Sequence, residues 1–407
     1  MNWTEYKLAE ISTNIQTGPF GSQLHQSDYS ECGTPVVMPK DLIAGHISED
    51  SIARVSEDHV ERLSRHKIEE GDILYSRRGD VGRCAYAGLK EVGWLCGTGC
   101  LRVSINAQMA NSKYVFYQLQ KAETVGWVVN HAVGATMLNL NTSILSDVPV
   151  KLPSLEIQNK TVRVLSAYDD LIENNQKQIS LLEEAAQRLY KEWFVDLRFP
   201  GHEKTEIVDG VPEGWSKGTL GDIAIDSGKR ETKDNRRNYN YYLPIDCLPK
   251  KSLSYQQMND ISLAESSLVA FKAKDILFGA MRPYFHKVVV ARDNGLTRST
   301  CFVINAKSKD VWEYLLMLLF DTDTIDYATQ ISVGTTMPYV RWKDFVNMSV
   351  LIPTIEMCKK FGEIVNPIIN KANLLAEENI KIVEARDRLL PKLMSGEIEV
   401  GHEENEC

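Results

Sequence analysis

Apolar residues in this chain follow two spacings. Leu165, Ile172, Ile179, Ala186 and Trp193 recur every seven residues, with Tyr168, Asn175, Leu182 and Leu189 three positions behind them. That spacing predicts a long helix with a coiled-coil seam, opened by Ser154 as N-cap and stopped by Pro200-Gly201. A second run places Ile368, Leu375, Ile382 and Leu389 on one row and Val365, Ala372, Asn379, Arg386 and Leu393 on the other. Ser395-Gly396 should end it, and Pro367 is expected to interrupt or kink its first third. Two such helices of nearly equal length can pack as an antiparallel pair. Asn175 and Asn379 lie near their middles and either meet, fixing register at a cost in stability, or face water.

Ahead of each helix the pattern shortens. Val36-Val-Met, Asp72-Ile-Leu-Tyr and Lys287-Val-Val-Val-Ala read as strands between Gly- and Asn-containing turns, while Tyr114 to Lys121 and Trp312 to Phe320 read as short buried helices. Each stretch closes on a Pro-bounded strand, Val148 to Pro153 and Met348 to Pro353. The fold class expected is α+β, with globular modules at 1–153 and 201–353. Spacer helices follow at 154–200 and 354–398, packing as an antiparallel coiled coil, and an acidic tail at 399–407 ends the chain.

The modules are copies. Shifted by 200 residues, Tyr114 meets Tyr314, Val133-Gly134-x-Thr136-Met137 meets Val333-Gly334-x-Thr336-Met337, and Pro153 meets Pro353. The register holds into Glu184-Ala185-x-x-Arg188-Leu189 against Glu384-Ala385-x-x-Arg388-Leu389. A repeat this long is a domain followed by its helix rather than a solenoid unit, and it implies an internal pseudo-two-fold suited to a two-fold symmetric partner.

A chain of 407 residues has room for such cores. Its eight cysteines form no CxxC pair, which disfavours zinc and disulfide frameworks. The longest apolar run, Tyr314 to Phe320, is far too short to span a bilayer, and the N-terminus lacks a signal pattern, so a cytoplasmic location is expected. The net charge of -9 argues against nucleic acid until its distribution is considered: residues 211–350 carry 18 Lys+Arg against 16 Asp+Glu, and the acid concentrates in the helices and tail.

Phosphate-loop, nucleophile-elbow, zinc-protease, dinucleotide and amino-methylase motifs are all missing, and no carboxylate pair stands out, so recognition or scaffolding is favoured over catalysis. Thr17, Gly18 and Ser22, in Thr17-Gly-Pro-Phe-Gly-Ser22, can set backbone N–H groups and hydroxyls against a phosphate, or form a tight turn with Phe20 in the core. Cations follow the shared Asp-Ile-Leu strand in both copies: Arg77, Arg78 and Arg83 in the first, Arg282, His286 and Lys287 in the second. Differing cations on one scaffold suit two base-reading surfaces, since Arg to guanine is the commonest specific contact; divergent solvated charge is the alternative. Lys229, Arg230, Lys233, Arg236 and Arg237 form the densest basic run, ahead of Tyr239, Tyr241 and Tyr242, and read as a phosphate clamp or a solvated loop. The Gly-x-Thr-Met segments should do one job twice, either as a structural turn or as a shared backbone contact, with a turn near the DNA face the favoured reading. On the helices, Leu165, Ile172, Asn175, Ile179, Leu182, Leu189 and Trp193 with Ile368, Leu375, Asn379, Ile382 and Leu389 form the seam and partner-docking set.

Together these residues resemble the specificity subunit of type I restriction-modification systems. The resemblance rests on the repeat, on Gly18-Pro-Phe-Gly-Ser22, on Gly71-Asp-Ile-Leu74 with Arg78-Gly-x-x-Gly82, and on the Gly-x-Thr-Met segments. The helix ends Arg188-Leu-Tyr-Lys-x-Trp-Phe194 and Leu389-Leu-Pro-Lys-Leu-Met-Ser-Gly-Glu397 are also similar to the family's. One departure is Glu356-Met357-Cys358 where the first copy has Glu156-Ile157-Gln158, which removes any contact of that Gln from the second copy. The resemblance implies a non-catalytic subunit whose two target recognition domains each read half of a split site in double-stranded DNA. Its helices would set the spacing and dock two methyltransferase subunits, to which two restriction/translocase subunits add. S-adenosylmethionine, ATP and magnesium would belong to those partners, and this chain would hold no cofactor. The rival readings are a recognition subunit of another methylation or phage-defence assembly and a coiled-coil adaptor that binds only protein.

Overall fold

The computed structural model describes residues 3–134 and 137–398. The acidic tail expected at 399–407 lies outside them, as do Ala135 and Thr136 of the first Gly-x-Thr-Met segment. The chain divides into two compact units: Met1–Tyr168 together with the chain from Ala385 onward, and Asp169–Glu384.

In the first unit the strand Thr4–Lys7 pairs antiparallel with the closing strand Pro149–Leu152. A four-stranded sheet follows in the order Ser12–Thr17, Cys100–Ile105, Ile73–Ser76, Cys84–Tyr86. The second unit repeats both features. Ser216–Thr219 pairs with Ser349–Ile352, and a sheet runs Ala224–Asp226, Cys301–Ala306, Ile276–Gly279, Val288–Val290. Ile73–Ser76 and Ile276–Gly279 are the shared Asp-Ile-Leu strands, and both are buried along their length, which is why they read as continuous apolar runs. Ser112–Leu119 and Trp312–Phe320 are the short buried helices, the latter buried from Tyr314 to Phe320.

The other four-stranded sheet differs between copies. In the first unit it runs Leu95–Cys96, Thr34–Val37, Ala53–Val55, Tyr29–Ser30; in the second, Lys229–Glu231, Leu268–Phe271, Gly295–Arg298, Tyr241–Tyr242. A parallel pair persists, Leu95 on Val36 and Leu296 on Tyr242, but its other neighbours are rebuilt. Duplication therefore kept one sheet and remodelled the other.

The first long helix spans Leu155–Tyr190, with a π-helical turn at Lys191–Val195 that ends it ahead of Pro200. The second spans Ile355–Ser395 without a break at Pro367, contrary to the expected interruption. Pro367 deprives the carbonyl four residues back of its partner, but Glu363 and Pro367 both lie on the exposed side, where water can satisfy it. Thr354 Oγ1 accepts from Met357 N at 3.2 Å and caps this helix.

The seam is antiparallel within each unit. In the second, buried Ile179 packs with Ala372, Leu375 and Ala376, with Leu182 partly buried beside them. Further along, Tyr190, Trp193 and Phe194 pack on Phe361 in an aromatic cluster, where centroid separations of 4.9–6.5 Å let rings meet edge-on or tilted. Leu189 and Ile368 are partly buried against the same core. In the first unit, buried Leu165 joins Leu393 and Met394, with Leu389 partly buried against them. Asn175 and Asn379 do meet: Asn175 Nδ2 donates to Asn379 Oδ1 at 3.0 Å, both residues are buried, and Asn379 Nδ2 donates to the Ile172 carbonyl at 3.3 Å. Ile172 and Ile382 flank this contact and are half-buried.

Candidate functional site

In both units the shared strand ends in a loop pinned at three points. In the first, Arg77 N donates to Gly99 O, Leu140 N to Arg77 O, and Gly79 N to Leu138 O. In the second, Ala280 N donates to Thr300 O, Val340 N to Ala280 O, and Arg282 N to Pro338 O. Gly79 and Arg282 are thus equivalent, and both adopt the left-handed conformation, at φ 75° and 51°. Glycine takes that conformation freely, whereas for Arg282 it costs about 1 kcal/mol or more. The first copy carries its cations one and two positions earlier, at Arg78 and Arg77. Identical backbone thus presents a differently placed guanidinium in each copy.

The Gly-x-Thr-Met segment forms the other wall. Val133 and Asn139 bond reciprocally across it, as do Val333 and Tyr339, so each segment is a turn. Gly134 and Gly334 have φ of 133° and 105°, and a Cβ on Gly134 would meet the Met137 carbonyl oxygen at 2.2 Å. Arg282 Nη2 donates to Thr336 O at 3.2 Å, tying the cation to its turn.

Thr17 ends its strand opposite Leu101, and Gly18 N continues the pairing to Cys100 O at 2.9 Å. Gly18 is needed for close approach, since a Cβ there would lie 2.0 Å from the Gly97 carbonyl oxygen. Phe20, one of whose alternatives was a place in the core, is 53% exposed and has the Arg77 guanidinium 5.8 Å from its ring centroid. Ser22 is exposed beside it. Loop 17–22 and loop 77–79 therefore share one face. Arg83 is engaged locally, donating to Asp80 at 2.9 and 3.2 Å.

Among the described residues, several polar atoms at this face are buried with no hydrogen-bond partner: Arg77 Nε, Thr98 Oγ1 and Asn139 Oδ1 in the first unit, Arg282 Nε and Thr300 Oγ1 in the second. Such groups recur at corresponding loops of the two units, where polar side chains gather beside the shared strand.

Two sequence-derived candidates move away from this face. His286 is 5% exposed, is bonded through Nε2 to the Phe320 carbonyl at 2.9 Å and packs edge-on against the Phe320 ring. Burial holds its pKa below the usual imidazole value. It is a core residue, which corrects its expected DNA contact; charge type in a sequence does not reveal exposure. Lys287 is half-buried and spends Nζ on Ile245 O at 2.7 Å, and desolvation lowers its pKa.

The basic run is ordered. Lys229 and Arg230 lie exposed on the strand paired with Val269 and Ala270, and Lys233–Asn238 is a 3-10 turn in which Lys233 and Arg237 are exposed. Arg236 is tethered to Ser262 O at 2.9 Å. Tyr239 OH donates to Glu231 at 3.1 Å. Lys229, Arg230, Glu231 and Tyr239 border a cavity of about 540 Å³ whose floor includes Phe271, Asp275 and Asn305. The sheet carrying the run also contains Arg298, whose strand leads to Thr300 at the Arg282 loop. Among the described residues no group of His, Cys, Asp and Glu has the arrangement of a metal site, and no helix is long and apolar enough to cross a membrane.

Residues 1–184 and 212–384 match the type I restriction modification DNA specificity domain. The chain belongs to that family. It is 29% identical over 308 residues to the type I restriction enzyme MjaIX specificity subunit of Methanocaldococcus jannaschii, covering 71% of this chain and 69% of the relative. It is 22% identical to the HindI specificity subunit of Haemophilus influenzae, covering 98% and 100%. The crystal structure of a type I restriction-modification S subunit from M. genitalium has the same fold, with a TM-score of 0.60, 16% identity, and 97% and 96% coverage.

Gln158 makes a clasp between module and helix. Its Oε1 accepts from Asn111 N and its Nε2 donates to Pro153 O, each at 2.9 Å. Cys358 holds the equivalent place in the second copy, buried with its thiol pushed up to about 12 by burial, as a purely apolar filler. Sequence reading singled out the Val-Gly-x-Thr-Met segments but not the exposure of Val133, Met137, Val333 and Met337 in them, and it missed exposed Tyr284 beside Arg282. A signal was available for the segments, in the identity of the two copies at one offset.

Proposed function

We propose that this chain is the non-catalytic DNA-recognition subunit of a type I restriction-modification assembly. Residues 1–153 and 201–353 are the two target recognition domains, and each reads one half of a bipartite duplex site. The helices at 154–200 and 354–398 set the gap between half-sites and dock two methyltransferase subunits, with two restriction/translocase subunits completing the complex. Methylation, ATP hydrolysis and cleavage, with their cofactors, belong to those partners. Recognition in the first half falls to Thr17, Gly18, Ser22, Arg77 and Arg78, with Arg83 held in reserve by Asp80. In the second half it falls to Arg282 with Lys229, Arg230, Lys233, Arg236 and Arg237.

The observation that carries this reading is the one backbone loop, pinned by equivalent hydrogen bonds, that presents its guanidinium from different positions in the two copies. A shared scaffold with relocated cations is what two different half-sites require.

The test is the adenine methylome of a strain whose chain carries Arg77→Ala and Arg78→Ala, compared with Arg282→Ala. Each set of changes is expected to relax one half-site only, by about 1–3 kcal/mol for each bidentate base contact. Relaxation of both half-sites by one set would refute independent reading, and a uniform loss across sequences would make these residues phosphate contacts.

A further inference from the structure

Val133 and Met137 are 63% and 62% exposed, and Val333 and Met337 are 55% and 58% exposed, the valine in the pair that closes each turn and the methionine within the turn. A single exposed apolar side chain is ordinary, but the same pair standing out at the same place in two diverged copies is not. Each turn adjoins the cationic loop: Arg78 bridges to Asn139, while Arg282 binds the carbonyls of Thr336 and Pro338. Beside each turn lies an arginine, Arg77 or Arg282, whose buried Nε has no partner among the described residues.

We infer that the two turns are a sequence-independent DNA contact, made by Met137 and Met337 with Val133 and Val333, which press apolar surface against the duplex next to each base-reading loop. This rests on the DNA-recognition reading above. The loops differ between copies, so they answer to different bases; the valine and methionine of the turns do not differ, so they answer to something both half-sites share. Phosphates are shared but offer nothing to a thioether or isopropyl group. Deoxyribose faces and the stacking edges of a base step are shared and apolar, and side chains such as methionine are used as wedges there. The neighbouring guanidiniums supply the charge complementarity that brings a duplex rather than a protein to this surface. Gly134 and Gly334, at positive φ, bring the chain close to the carbonyls of Met137 and Met337 in the two turns.

The experiment uses the full chain assembled with its methyltransferase subunits and a fluorescent duplex carrying the target mapped from its methylome. Met137→Gln and Met337→Gln keep side-chain size and remove apolarity; Met137→Leu and Met337→Leu keep apolarity. Each Gln variant is expected to bind about tenfold more weakly, as loss of a buried methionine contact implies. The slope of affinity against salt should be unchanged, because no counterion is released at an apolar contact, and the methylated sequence should be unchanged. The Leu variants should bind like the unmodified chain. Gln variants that bind normally, that flatten the salt dependence or that alter one half-site would overturn the inference. Failure of the unmodified complex to bind DNA at all would instead overturn the recognition reading beneath it.

Discussion

The buried Asn175–Asn379 pair should show strong, non-additive energetics. Asn379 is fully buried; it accepts from Asn175 at 3.0 Å and donates to Ile172 O at 3.3 Å and to Gln256 Oε1 at 3.5 Å, the last at the limit of bonding range. Asn175→Ala removes one bond and strands Asn379 Oδ1 in the seam, at a cost of about 1–3 kcal/mol. Asn379→Ala strands Asn175 Nδ2 and also opens a cavity, so it should reach the top of that range or pass it. Asn175→Leu combined with Asn379→Leu leaves no orphan and should be nearly neutral or stabilising, with register freed to slip. Native-state hydrogen exchange across 172–179 and 372–379 is the suitable assay, because it reads the opening energy of that segment without requiring two-state unfolding of the whole chain. If the alanine substitutions add simply, or the leucine pair costs as much as either alanine, the asparagines are not coupled and another contact fixes the register.

Two further outcomes follow from local geometry. Glu183 is 4% exposed, its carboxylate accepts from Ser252 and Leu253, and burial raises its pKa to about 7. Since the folded state holds this proton more tightly than the unfolded chain, its contribution is fully present below about 4.5 and lost as pH rises through about 7. Protection of the Leu253 amide should therefore fall by roughly 2–3 kcal/mol across that window, and Glu183→Gln should flatten the profile; an unchanged profile in that variant would exonerate Glu183. Gly18→Ala should destabilise by roughly 1–3 kcal/mol, because the obstructing Gly97 carbonyl is backbone and cannot rotate away, whereas Gly21→Ala meets nothing within 4 Å and should be silent. Equal melting temperatures for the two variants would show that the strand end yields.

The helices were legible because a seven-residue repeat survives any local detail: Leu165, Ile179 and Leu375 are buried as the spacing implies. Pro367 misled because its cost depends on whether the orphaned carbonyl faces solvent, which only the folded helix decides. The remodelled sheets were illegible for a different reason. Strands as short as Leu95–Cys96 and Tyr241–Tyr242 carry no periodicity, and their partners are chosen by tertiary packing. At the site, composition located the cations but not their burial, so Arg78 and His286 looked alike although one is exposed and the other is core. Phe20 was ambiguous in the same way, and its 53% exposure beside Arg77 resolves it.

Each module begins and ends on the same two-stranded ribbon, Thr4–Lys7 on Pro149–Leu152 and Ser216–Thr219 on Ser349–Ile352. Chain enters and leaves a module through neighbouring strands about 5 Å apart, so the covalent connections of the module to the rest of the protein run through one neck. A recombination event with breakpoints in the two neck strands would replace a whole module while leaving the helices in frame and in register. The exchanged module would still have to match the helix it packs on, through the contact of Gln158 with Asn111 in the first copy and of Glu183 with Ser252 in the second.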